Sequence, residues 1–436
     1  MSASAKQMGP IAATVLVAGM LMGSGVYLLP TTLAAFGSIT IFSWGIAAAG
    51  ALILAAVFGL LGVLRPQAEG AVAYAEEALH PALGHLGWFI NWLSYWTAGP
   101  AVLVAAVGYL GVFFPILKVQ TWSLAANLAL IWLFVLANWV GPRLAARIGG
   151  ATLVVGLAPV LLVIAVGLFA FDPHIFQASW NVSGKSDIAA VTLATAPVMW
   201  AFVGLECANM AARVIHNPQR NLPIAVVGGV AISVVVYVSL SVTIMGLLPA
   251  KTLAASSAPF ADALRPLIGA LAAGFIAVCA CAKALGTFSN IVLVTAEMSR
   301  SAAASGFLPG ALSGGVAQPR PTRDLVFTGG LMTFVAVASS SPTLGGQFAI
   351  LINISVLYSM SFYALCSAAL VVLAKDLSTP ARRAGARAAG LAGAGFSAWV
   401  IASADPGMRA PVLATLAVGL CAYGVSRWAR RGRQAT

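Results

Sequence analysis

The stretch IAATVLVAGMLMGSGVYLLP, Ile11 to Pro30, decides how this chain is read. It is apolar over about the 20 residues that a helix needs to cross a bilayer, yet Gly23-Ser24-Gly25 interrupts it. Inside hydrocarbon, backbone N–H and C=O groups freed by a break find no water. A break persists only where protein buries it or where it lines a polar cavity. A glycine pair in a membrane helix is also a device for close helix packing. The first apolar run alone leaves both readings open, a substrate-binding break or a packing pair.

Composition sets the class around that run. The 436 residues are 61% hydrophobic and 8% charged, whereas soluble domains carry roughly 25% charged residues. Divided into bilayer lengths, the chain gives twelve expected spans, beginning near Ile11, Ile39, Leu86, Trp122, Ile148, Ala189, Ile224, Leu267, Leu325, Phe348, Ala388 and Pro411. The ninth and twelfth read as the shortest. The expectation is an all-α integral membrane protein forming one transmembrane domain over 1–436, with no connecting stretch long enough to fold alone.

Lysine and arginine placement sets the expected orientation. With the N-terminus inside, Lys118, Lys185, Lys251, Arg265 and Arg409 lie outside and Lys283 falls within a span. The remaining lysines and arginines are then cytoplasmic, as are both termini, in a bacterial inner (plasma) membrane crossed many times. The net charge of +12 then reads as a topology signal and a contact with anionic membrane lipid. The basic residues are scattered over short loops, which argues against nucleic acid as a partner. The N-terminus carries only Lys6 before an apolar run too long for the core of a signal peptide, so it is expected to stay as the first span.

Several chemistries are set aside. The sequence has no G-x-x-x-x-G-K-[ST] loop to grip a nucleotide and no H-E-x-x-H pair. The cysteines Cys207, Cys279, Cys281, Cys366 and Cys421 sit in apolar spans without ligand partners at useful spacing and read as small buried residues. No catalytic residue, metal or cofactor is expected, and movement of a solute remains. A channel would need a continuous pore ringed by polar residues, which these apolar spans do not offer. A membrane solute sensor is the alternative outside transport.

The sixth span, VTLATAPVMWAFVGLECANMAARVIHNPQR, supplies a second break. Pro197 and Gly204 weaken its helix, and Glu206 lies inside the apolar run. A carboxylate near the bilayer centre costs roughly 2.5–3.5 kcal/mol on insertion scales and marks a functional position by default. The two broken spans stand five apart. A copied unit of five spans re-enters the membrane in the opposite sense, which is the signature of an inverted repeat holding substrate at the midplane. The first repeat is expected over 11–171 and the second over 189–374, followed by two additional helices over 388–426.

Three stretches, MGSGVYLLP (Met22 to Pro30), WAFVGLE (Trp200 to Glu206) and NPQRNLPIA (Asn217 to Ala225), together resemble the amino acid–polyamine–organocation superfamily. Within it the chain is most similar to the basic amino acid/polyamine antiporters, the arginine/agmatine and lysine/cadaverine exchanger group. GYLGVFFPILK, WNVSG and SAPF support the likeness, which runs from Met8 to about Leu373. The resemblance implies a twelve-span protein with a five-plus-five inverted-repeat core of leucine-transporter type, moving amino acids and amines by alternating access. It implies that Gly23, Ser24 and Gly25 form the break of the first span, with Ser24 and Gly25 holding the substrate carboxylate through backbone N–H groups. Trp200 would be platform and gate, Val203 an apolar wall, and Glu206 the acid coupling conformation to pH. Phe288 and Asn353 would approach the substrate from the eighth and tenth spans.

The departures bear on substrate. Met20 replaces an asparagine of the antiporters, Asn91 replaces a tyrosine with Tyr95 and Trp96 one turn on, and Phe288 replaces a tryptophan. A cation stacks less well on phenylalanine than on tryptophan, and methionine lacks the amide acceptor. Both changes disfavour a dibasic substrate. They leave a proton-coupled or facilitative permease for neutral or apolar amino acids as the alternative to an antiporter.

Lys283, in AAGFIAVCACAKALGTFSN, is the least expected residue. Two roles are open to it, pairing with Glu206 or occupying a cation site in place of a coupling ion, and a positive charge in the cavity would disfavour dicationic substrates. The aromatic run FINWLSYWTAGP reads mainly as helix packing, with Tyr95 the member facing a cavity. AEGAVAYAEEALH, with Glu69, Glu76 and Glu77, reads as a short amphipathic helix. The small residues of GLAGAGFSA, Gly390 to Ala398, would permit a homodimer.

Overall fold

The computed structural model describes residues 8–66, 72–206, 215–304, 307, 308, 312–314 and 321–434; Lys6, Glu69 and Cys207 lie outside them. Among the described residues the twelve expected spans all appear as helices. Span 1 is Pro10–Leu21 followed by Leu29–Ala34, span 2 Thr40–Leu64, span 3 Pro81–Leu110, span 4 Gln120–Val140, span 5 Pro142–Phe169 and span 6 Asp187–Met199. Span 7 is Pro218–Leu247, span 8 Pro259–Ala304, span 9 Thr322–Ala338, span 10 Leu344–Leu373, span 11 Pro380–Ser403 and span 12 Pro406–Gln434. Many start on proline, whose fixed φ and missing N–H suit the first helical turn. Seven of the described helices are long and apolar enough to cross a membrane unaided, and the bent halves of span 1 together make an eighth. Span 9 is short, at 17 residues. Span 12 is not, and its helix runs on into the basic C-terminal stretch.

Helix packing divides the bundle. Span 1 lies on span 7, span 7 on span 2, and span 2 on span 6. Span 8 lies instead on spans 5 and 3, and span 9 on span 4. Span 10 joins span 3 to span 11. The glycines of GLAGAGFSA serve this last contact: a Cβ at Gly390 would meet the Val371 side chain at 2.7 Å, and one at Gly393 the Ser367 hydroxyl at 2.7 Å. Gly390 and Gly393 are thus used inside the protomer, while Leu391, Gly395 and Ala398 of the same stretch are exposed. Cys279, Cys281 and Cys366 are buried as expected, but Cys421 is exposed on span 12.

The break of span 1 shows how apolar sequence tolerates freed backbone. The two halves meet at 56°, with Gly23 extended and a 3-10 turn over Ser24–Tyr27 between them. Tyrosines from neighbouring spans supply the missing donors. Tyr237 of span 7 donates to the Leu21 carbonyl at 2.8 Å, and Tyr109 of span 3 to the Tyr27 carbonyl at 3.0 Å. The Tyr27 hydroxyl donates in turn to the Gly156 carbonyl of span 5. Tyr109 also accepts from the Phe260 N–H at 3.3 Å. Its hydroxyl is therefore worth more than one ordinary bond, since an orphaned buried polar group costs about 1–3 kcal/mol. Tyr109→Phe is expected to lower the melting temperature of the detergent-purified protein by several degrees. Unchanged melting would show that this hydroxyl does not hold the break.

At the end of span 2, Arg65 donates to Glu77 at 2.6 Å and to Asp376 at 2.7 Å. Glu77 belongs to the short helix Val72–Ala78 that the sequence placed after span 2, and Asp376 follows span 10. The hydrogen bond from Arg65 holds the Asp376 carboxyl below the ordinary carboxylate range. Solvent screens such exposed pairs, so they orient the loop more than they stabilise the fold.

Candidate functional site

Two interrupted spans meet in the middle of the bundle. Span 6 ends as a helix at Met199, passes through a 3-10 turn Trp200–Phe202, and turns at Val203 and Gly204. Gly204 has φ +104°, which side chains with a Cβ rarely adopt. The Trp200 indole lies over Gly25: a Cβ built there would stand 2.0 Å from its Nε1. Glycine at this position is thus a condition for the two breaks to touch.

Beneath that contact lies a cavity of about 390 Å³. Its walls include Met20, Gly23 and Gly25 of span 1, Ser94 and Tyr95 of span 3, Trp200, Val203 and Gly204 of span 6, and Tyr237 of span 7. Span 8 contributes Lys283, Thr287, Asn290, Ile291 and Val294. Met20, Asn290 and Val294 are solvent-exposed, while Trp200 is 8% exposed and packs edge-on against Phe348 at 6.3 Å. The cavity wall is therefore accessible at Met20, Asn290 and Val294 and buried at Trp200.

Each broken segment presents donors. Ser24 and Gly25 begin a helical turn, where the first N–H groups lack intrahelical acceptors. The Trp200 Nε1–H is buried without a hydrogen-bond partner among the described residues. Lys283 forms no hydrogen bond or ion pair among the described residues, and its stem lies in the groove left by Gly156, where a Cβ would come 2.4 Å from its Cγ.

Glu206 lies behind this wall rather than in it. The carboxylate is buried and accepts from the Tyr363 hydroxyl of span 10 at 2.6 Å and from the Tyr95 hydroxyl at 3.4 Å. Tyr363 also accepts from the Gly204 N–H at 3.0 Å. The pairing of Lys283 with Glu206 considered from sequence is not formed among the described residues; the Glu206 carboxylate accepts instead from tyrosine hydroxyls.

Three residues expected at the site stand elsewhere. Phe288 is fully buried against Phe134 at 5.7 Å, because one step along a helix turns its side chain by about 100° and Thr287 takes the cavity-facing position. Trp96 packs edge-on against Trp92 at 5.8 Å and does not border the cavity. Asn353 donates to the Ala349 carbonyl at 2.8 Å and borders a separate pocket with Lys185 and Asp405. Trp88 and Trp92 stack at 5.5 Å as structural members of span 3, and Asn91 is likewise absent from the cavity wall. Thr287 and Asn290 were missed. With Lys283 and Val294 they recur at the three- and four-residue steps that put them on one helix face, but that spacing does not say which face meets the cavity.

An apolar bundle with a central cavity between two discontinuous spans has the build of a membrane solute carrier. A family model described as amino acid permease matches residues 8–422, and the chain belongs to that family. Its fold is a twelve-helix membrane core of the leucine-transporter type, in keeping with the broken first span and with the end of the span 6 helix at Met199. The chain is 35% identical over 292 residues to the cadaverine/lysine antiporter of Escherichia coli (strain K12), covering 66% of each protein. It is 30% identical to the putrescine transporter PotE of the same strain, over 88% of this chain and 87% of that protein. To PotE of Haemophilus influenzae (strain ATCC 51907 / DSM 11121 / KW20 / Rd) it is 29% identical over 86% of each. The chain thus spans 66% of the length of the antiporter and most of the length of the two PotE proteins.

Proposed function

We propose that this protein is a secondary-active antiporter of amino acids and their amines, working by alternating access at the central cavity, and that it is not an enzyme. The contact of Gly25 with Trp200 carries the reading, because it joins the break of span 1 to the turn that ends the described helix of span 6, beside a central cavity. The Ser24 and Gly25 N–H groups hold the substrate carboxylate, Trp200 gates the cavity, and Glu206 reports proton binding through Tyr95 and Tyr363. Spans 1, 2, 6 and 7 rock against spans 3, 4, 8 and 9, the two groups that the helix packing separates. The repeats run over 11–171 and 189–374, with the helices over 388–426 outside them. Both termini face the cytoplasm of a bacterial inner membrane by the lysine and arginine bias.

The test is counterflow. Liposomes containing the purified protein and loaded with unlabelled amino acids and diamines should accumulate labelled substrate, and empty liposomes should not. Equal uptake into empty vesicles would make the protein a facilitative permease. Binding without flux would make it a sensor.

A further inference from the structure

The charged groups of the cavity do not suit a diamine. Among the described residues Lys283 is the sole ionisable lysine, arginine, aspartate or glutamate in the cavity wall. Glu206, which follows the turn of span 6, does not line this cavity and accepts instead from Tyr363 and Tyr95. The stem of Lys283 is held against Gly156 of span 5, which keeps the ammonium on the cavity side of span 8. Thr287 and Asn290 continue the same face. The Trp200 Nε1–H also lacks an acceptor among the described residues, but it is packed against Gly25 rather than presented to the cavity. The remaining wall carries the uncharged hydroxyl residues Ser94, Tyr95 and Tyr237, and is otherwise largely apolar, with Met20, Val102, Val203, Ile291 and Val294.

We infer that this site takes a zwitterionic amino acid with an uncharged side chain, and that Lys283 selects it by rejecting a second ammonium. The inference rests on the transporter reading above and narrows its substrate. A singly cationic ligand whose carboxylate lies on the Ser24 and Gly25 N–H groups brings no second cation to the Lys283 ammonium. A diamine or a basic amino acid brings a further cation into a cavity whose wall, among the described residues, carries no carboxylate. Repulsion between two unit charges about 6 Å apart, at an effective dielectric of about 20, corresponds to roughly 100-fold in affinity. The relatives named for cadaverine, lysine and putrescine would then differ from this chain in the charge of the wall rather than in the fold.

The experiment is competition for labelled leucine exchange in proteoliposomes, with leucine, methionine, lysine, cadaverine and putrescine as competitors. Wild-type protein should be inhibited by leucine or methionine at concentrations at least about tenfold lower than by either diamine. Lys283→Gln should shift that ratio toward the diamines by about tenfold or more, with Lys283→Met as a second variant should the first fail to fold. Cadaverine or putrescine competing as well as leucine against the wild type would overturn the inference, as would a ratio unmoved by both folded variants. Absence of leucine exchange where labelled putrescine or lysine does exchange would overturn it too, whereas absence of exchange with every labelled substrate would count against the transporter reading. Ligand-induced thermal stabilisation in detergent then tests the selectivity separately: leucine should stabilise the wild type at lower concentration than cadaverine, and the reverse order would overturn it.

Discussion

Gly25→Ala is expected to abolish most exchange while leaving the protein folded. The added methyl carbon would stand 2.0 Å from Trp200 Nε1 and 2.7 Å from Cε2, distances that no rotation of the methyl relieves. The indole is a rigid ring with 8% of its surface exposed, and Phe348 abuts it edge-on. Trp200 must therefore leave the break, or the halves of span 1 must part from span 6. Overpacking of this kind costs about 1–3 kcal/mol, which in a step that needs the two breaks to touch lowers the rate by roughly 10- to 100-fold. The check is initial exchange rates in proteoliposomes at matched protein density, with helicity followed in parallel. Trp200→Ala on the Gly25→Ala background should recover part of the loss, giving a coupling between the two sites that separate mutants would not show. A wild-type rate for Gly25→Ala would mean that the contact is incidental to transport.

Tyr363→Phe is expected to have the next largest effect, and Glu206→Gln to reveal its origin. One hydroxyl donates to the Glu206 carboxylate at 2.6 Å and accepts from the Gly204 N–H at 3.0 Å. Its removal weakens the coordination of a buried charge and strips the turn of its acceptor, each costing about 1–3 kcal/mol. Exchange should fall about tenfold or more, and the detergent-purified protein should melt several degrees earlier. Glu206→Gln keeps the shape but removes the titrating group, so its exchange rate should vary less with pH than that of the wild type. The measurement is exchange across a pH series for wild type and both variants. If Glu206→Gln keeps the wild-type pH profile, Glu206 is a structural acid and proton coupling lies elsewhere.

The central features of the fold were legible because they are local. Twenty-odd apolar residues make a span whatever surrounds them, and Gly23-Ser24-Gly25 or Pro197 with Gly204 weakens a helix by its own covalent chemistry. The partners of the broken backbone were not legible. Tyr237, Tyr109 and Tyr363 reach Leu21, Tyr27 and Gly204 from distant parts of the chain, and nothing in their own neighbourhoods marks them for that task. Small-residue stretches were ambiguous for a related reason: Gly390 and Gly393 permit close approach to any helix, and span 10 is the one that comes.

The sequence by itself determined that the chain is an apolar, many-span membrane protein with discontinuous first and sixth spans, since hydropathy and backbone propensity act over one or two helical turns. Tertiary structure alone decided which face of span 8 meets the cavity. A helix turns by about 100° per residue, so its phase depends on how spans 3 and 5 receive it. That phase puts Phe288 into the packed core and leaves Lys283, Thr287 and Asn290 with the substrate space.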